Sequence, residues 1–250
     1  MALEQYTPPR EPWIDIVYQD DDILVVNKPA GLLSVPGRLP EHYDSMWSRL
    51  VVEFAEIQVV HRLDMSTSGL MLLAKHKQAE RHLKKQFQYR LTHKLYYARV
   101  WGSVEEVEEV EEVEGLIDLP LICDWPNRPR QKVCFEDGKP SQTRYVVERQ
   151  EAQTALLKLL PITGRSHQLR VHCMELGNPI VGDEFYATPD AFNYSDRLAL
   201  HACELSFYHP ANNQLFKAFV PCEFYPQASP QIEQHFEIAP ELPDYNKLKA

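Results

Sequence analysis

The sequence predicts an α+β fold organised around one large, mainly antiparallel sheet. Short runs rich in aliphatic and aromatic residues recur along the chain between polar or Pro/Gly boundaries, the mark of strands. The few stretches with helical periodicity fall irregularly among them, without the alternation of a parallel βαβ sheet. A hydrophobic content of 44% over 250 residues supplies the core for one large domain or two small ones.

Taken in order, strands are expected at residues 23–26, 70–74, 95–101, 143–148, 155–160, 198–207 and 215–220. Met46, Leu50, Val51 and Phe54 share one helical face behind Asp44, a candidate N-cap. A second helix places Ala79, Leu83 and Phe87 inward and leaves its bases exposed. A third starts near Ser166, buries Leu169, Cys173 and Leu176, and stops at Gly177, a residue type suited to the position after a helix. That start sets Arg165 at a loop-to-helix junction. Tyr96 and Tyr97 alternate along one strand, so one faces inward; the pattern alone does not choose between them.

The chemistry concentrates at residues 61–69. His61, Arg62, Leu63, Asp64, Met65, Ser66, Thr67, Ser68 and Gly69 interrupt two apolar runs, 57–60 and 70–74. A strand that ends in charged groups and a Ser/Thr/Gly turn projects those groups from a rigid support. Read alone, the motif also fits a turn capped by Asp64 with Arg62 paired to it at the surface.

Charge is strongly segregated. The formal net charge is -10, yet the segment 103–114 holds seven glutamates and no base. The tail, 223–250, carries five acids against two lysines, and with both segments set aside the rest of the chain has no net charge. Between Lys75 and Arg99 there are eight bases and one acid, Glu80, a stripe able to neutralise phosphates with release of counterions. Glu-Glu-Val repeats put valines at a strict spacing of three, which drifts around a helix, so 103–114 reads as an acidic loop insert. Pro226, Pro230, Pro240 and Pro243 make the tail a loosely packed or disordered segment.

Five cysteines without a close Cys-x-x-Cys pair argue against a disulfide framework or a zinc site. No apolar leader and no apolar run of membrane-spanning length is present, so a cytoplasmic protein without a membrane partner is expected. Gly138-Lys139 is followed by Pro140 and lacks the glycine that a phosphate loop needs upstream, which disfavours a nucleotide hydrolase. A glycosidase needs a second carboxylate, and none lies near Asp64 in sequence.

Several segments resemble the RluA-type pseudouridine synthases, and within them the branch acting on both 23S ribosomal RNA and tRNA. Besides residues 61–69 these are 11–13 (Glu-Pro-Trp), 27–38 (Asn-Lys-Pro-Ala-Gly-Leu-Leu-Ser-Val-Pro-Gly-Arg), 118–129 and 161–172, and the similarity runs from about Pro9 to about Pro221. The resemblance implies the pseudouridine synthase fold, a mixed sheet bisected by a catalytic cleft, as a single catalytic domain over 1–222 followed by the tail 223–250. It implies isomerisation of uridine to pseudouridine in stem-loops of 23S ribosomal RNA and at the first nucleotide of the tRNA anticodon loop, by a monomer. Cleaving N1–C1′ and joining C5–C1′ is redox-neutral, so no cofactor or metal is expected. By resemblance Asp64, Tyr96 and Arg165 are the catalytic set, with Arg165 as counter-ion to Asp64 and the Tyr96 ring on the uracil. Arg62 resembles the residue that replaces the flipped base, and Leu200 the apolar wall beneath the uracil. His61, and Arg128 and Arg130 in a Pro-rich basic loop, are further candidates for RNA contact. The rival class is a noncatalytic RNA-binding or chaperone module, for which a carboxylate facing anionic RNA has no use.

Overall fold

The computed structural model describes residues 6–104, 113–225 and 231–238. The first half of the chain forms β1 (Ile16–Gln19), β2 (Ile23–Lys28), α1 (Met46–Leu50), β3 (Gln58–Val59), β4 (Ser68–Ala74), α2 (Lys77–Gln88) and β5 (His93–Trp101). Next come β6 (Glu114–Asp118), β7 (Leu121–Cys123), β8 (Gln131–Val133), β9 (Gln142–Gln150) and β10 (Thr154–Pro161). The remainder is α3 (Gln168–Glu175), α4 (Pro189–Asn193), β11 (Leu200–Tyr208), β12 (Gln214–Phe219) and β13 (Gln231–Ile238).

Among the described residues, one 11-stranded sheet runs β1-β2-β4-β11-β5-β10-β9-β6, with β3 beside β4 and β13 added through β12. Its pairings are antiparallel except at β4–β11, which are parallel over just His201↔Ser68 and Ala202↔Gly69. Two half-sheets therefore meet at a narrow joint. The joint requires Gly69: its φ is +112°, and a Cβ there would lie 2.3 Å from the Ala202 carbonyl oxygen.

Strand periodicity explains how the first half-sheet is covered on both faces. Ile23, Val25, Leu70, Leu72 and Ala74 pack with Ala79 and Leu83 of α2, whereas Leu24, Val26, Met71 and Leu73 pack with Met46 and Leu50 near α1. In the second half-sheet, Ala98, Val100, Leu157, Leu159 and Leu200 bury against Leu169 and Cys173 of α3. Tyr97 is the tyrosine buried in that core, stacked on Tyr225 at 4.2 Å, so Tyr96 takes the opposite face.

Several local expectations are corrected. The N-cap of α1 is Ser45, in a reciprocal box with Ser48, because the Asp44 carboxylate instead receives Arg49 Nε and Nη2 at 2.8 and 2.9 Å. Val51 and Phe54 lie beyond that short helix. α3 begins at Gln168, two residues past the expected start near Ser166, because His167 turns the chain at a φ of +54° first. Part of the tail is ordered into the sheet, since β13 pairs with β12. The strand expected at 57–60 is β3, whereas the short or polar strands β1, β6, β7, β8 and β13 have no counterpart in the sequence reading. Most of the acidic insert, residues 105–112, lies outside the described residues, as do 226–230 and 239–250.

Candidate active site

Asp64 sits on the turn just before the β4–β11 joint, and the segment 28–34 clamps it from both sides. Leu63 donates its N–H to Ser34 Oγ at 3.1 Å and accepts that hydroxyl at 2.7 Å. On the other flank the Met65 carbonyl accepts from Gly31 N at 2.9 Å and from Lys28 Nζ at 3.1 Å. The turn closes with Thr67 N–H on the Asp64 carbonyl. The carboxylate is thus carried by a main chain fixed on both flanks, a condition for a positioned reactive group.

Lys28 is the part of this clamp with electrostatic weight. Its side chain is fully buried and also donates to Pro29 O and Leu32 O, at 2.9 and 2.7 Å. Burial pushes its pKa down to about 7, while the field of Asp64 opposes that shift. Three carbonyl acceptors match the three donors of an ammonium, which favours the charged form beside Asp64.

Tyr96 arrives from β5, on the other half-sheet. Burial first, and then the charge of Asp64, raise its phenol well above the ordinary tyrosine range, so it stays protonated. Leu200, on β11 opposite Ala98, is buried in the same half-sheet. Asp64 and Tyr96, on separate half-sheets, are therefore brought together only by the fold.

Arg165 is exposed, and its Nε donates to Pro140 O at 3.3 Å; no ion pair joins it to Asp64 among the described residues. Besides Lys28, the cation whose charge couples to Asp64 is Arg170, five residues further on and inside α3. Burial works against its charge, but two hydrogen bonds to Asp183, of 2.7 and 2.6 Å, and the Asp183 and Asp64 fields outweigh that and raise its pKa. Asp183 Oδ1 also accepts Phe185 N and Tyr186 N, and the Tyr186 hydroxyl meets His167 Nδ1 at 2.7 Å. Burial lowers the His167 pKa and lifts the Tyr186 phenol to about 12. The sequence reading missed Lys28, His167, Arg170, Asp183 and Tyr186; all but the last two lie in the segments that carried the family resemblance.

The remaining candidates divide by location. Arg62 is exposed at the turn beside Asp64. His61 is engaged inside the fold: its Nε2 accepts Leu72 N–H at 2.9 Å and its ring stacks on Phe87 of α2 at 4.7 Å. This contact seats α2, which exposes Lys77, Arg81, Lys84 and Lys85, beside the turn. Arg128 and Arg130 are exposed at the tip of the β7–β8 ribbon, where Arg128 lies 4.3 Å from the Trp125 ring centroid.

One group among the described residues has metal-ligand character. Ligand atoms of Asp20, Asp22 and His209 lie within 4.8 Å of one another. Each already has partners: Asp20 Oδ1 accepts Asp22 N and Ile23 N, His209 Nε2 meets Asp20 Oδ2 at 2.8 Å, and His76 Nε2 meets Asp22 Oδ1 at 3.0 Å. The cluster pins the β1–β2 turn to the start of α2 and to the β11–β12 turn. No helix among the described residues is long and apolar enough to cross a membrane.

The pattern of a family described as RNA pseudouridylate synthase matches residues 22–175. The chain is 65% identical over 253 residues to the dual-specificity RNA pseudouridine synthase RluA of Vibrio vulnificus, covering 99% of both chains. It is 57% identical to the protein of the same name from Escherichia coli K12, over 90% of this chain and all of that one. Among solved structures, human RNA Pseudouridylate Synthase Domain Containing 1 superposes with a TM-score of 0.69 at 29% identity, over 89% of this chain and 91% of that one.

Proposed function

Because the chain belongs to the RNA pseudouridylate synthase family, it is an RNA-modifying isomerase with the pseudouridine synthase fold, and we propose that it acts on stem-loops of both 23S ribosomal RNA and tRNA. In tRNA the target is the first nucleotide of the anticodon loop. The dual specificity named for its relatives supports this choice.

The observation that carries the mechanism is the Asp64 turn held on both flanks by segment 28–34, its charge felt at Tyr96 of the other half-sheet. Pseudouridine formation breaks N1–C1′, turns the uracil, joins C5 to C1′ and moves the C5 hydrogen as a proton, with no net change in composition. Asp64 acts at the ribose, as nucleophile at C1′ or as base. Lys28 and Arg170 supply fixed positive charge to the carboxylate as RNA displaces water. Arg165 exchanges its long bond to Pro140 O for Asp64 when RNA is bound. Tyr96, kept neutral, stacks on the uracil above Leu200.

Reaching a stacked base requires extrusion, which costs on the order of a few kcal/mol. Exposed Arg62 fills the vacated gap with a flat cation, and the basic face of α2, with Arg128 and Arg130, tracks phosphates. The chemistry requires no redox cofactor, and we place the protein in the cytoplasm as a monomer. The test is Asp64→Asn with stem-loop RNA labelled with tritium at uridine C5. Tritium release should vanish while RNA binding stays within about twofold of wild type; release at the wild-type rate would sink the mechanism.

A further inference from the structure

We propose that Trp125, backed by Arg128 at the tip of the β7–β8 ribbon, is a stacking platform for an unpaired RNA base neighbouring the target uridine; this rests on the reading of RNA stem-loops as substrates. The indole is 66% exposed although tryptophan is a costly side chain to leave in water. Its tip is built to hold it there. Asp124 N donates to Arg130 O at 2.9 Å, Asn127 N to Asp124 O at 2.9 Å, and Asn127 Nδ2 to the Asp124 carboxylate at 2.8 Å. Pro126 and Pro129 restrict the same seven-residue tip, so little conformational entropy remains to be lost on binding.

The tip is also rooted beside the reactive carboxylate. Its first pair, Cys123↔Gln131, is latched by Gln131 N–H donating to the Tyr186 hydroxyl at 2.8 Å. That hydroxyl contacts His167, and the charge of Asp64 is felt at both residues. Arg128, Arg130 and Lys132 give the tip and its root three bases against Asp124. A π-face set among cations matches a splayed nucleotide, whose base stacks and whose phosphate is neutralised. An apolar protein partner would gain nothing from those cations.

The experiment titrates wild-type protein into stem-loop RNAs carrying 2-aminopurine at each loop position next to the target uridine. Stacking on Trp125 should quench one position. Trp125→Ala should abolish that quenching and raise KM about tenfold, within the range that base–aromatic stacking supplies, while kcat falls less than twofold. Trp125→Phe should restore most of both. A Trp125→Ala protein with wild-type KM and quenching overturns the platform and points to a different occupant, such as a protein. A wild-type protein that shows Trp125-dependent quenching but forms no pseudouridine overturns the substrate reading and leaves the platform standing.

Discussion

Arg170 grips Asp183 through two short hydrogen bonds while the two side chains are 2% and 0% exposed. The pair does more than neutralise itself. Asp183 also orients the main chain at Phe185 and Tyr186, and Arg170 supports His167, so one buried ion pair shapes the wall facing Asp64.

Arg170→Met should destabilise the protein by about 3–5 kcal/mol, because it strands the Asp183 carboxylate in the interior. Arg165→Ala, at an exposed position, should change the unfolding free energy read by urea titration by no more than about 0.5 kcal/mol yet slow single turnover. Equal destabilisation by the two variants would refute the distinction between a structural and a substrate-responsive arginine.

Gly69→Ala should cost about 3 kcal/mol or more and abolish activity, since the added methyl collides with the Ala202 main chain where the half-sheets join. Gly177→Ala is the control. Its φ is +88°, but nothing lies within 4 Å of the new Cβ, so it should cost about 1 kcal/mol. Thermal unfolding of both variants, compared with wild type, reads the difference directly.

Burial drives the pKa of His61 down to about 3. The folded state therefore holds this ring neutral, and the unfolded chain takes up its proton as pH falls below about 6.5. Stability should be highest above that value and fall by about 1.4 kcal/mol per pH unit toward pH 3 through this residue. His61→Gln keeps an acceptor for Leu72 N–H without a titrating ring. Urea midpoints at pH 7, 6 and 5 should decline less steeply in that variant; parallel slopes would show that His61 contributes nothing to acid sensitivity.

Strand interiors were legible from the sequence where burial is strong. Residues 23–26 and 70–74 are apolar enough to demand cover on both faces, and they form the centre of the first half-sheet. β6, β7, β8 and β13 were not legible, because short polar segments such as Glu114–Asp118 become strands only when a partner edge satisfies their backbone groups. The helix cap moved from Asp44 to Ser45 for a similar reason: Arg49 competes for the carboxylate, and sequence spacing does not record that competition.

Residue order alone is enough to pick out the candidate motif around Asp64, the basic stripe and the family, because contiguous residue types suffice for those. Which arginine is buried with its charge coupled to Asp64, which tyrosine enters the second core, and the Lys28 bond to the turn at Met65 emerge only in three dimensions. Arg165 and Arg170 stand in one segment, and the left-handed turn at His167 sends the first outward while α3 carries the second inward. Tyr96 and Tyr97 are adjacent, and only the packing of Tyr97 on Tyr225 assigns their faces. Those outcomes depend on desolvation and on partners distant in sequence, which exist only after the two half-sheets have closed on each other.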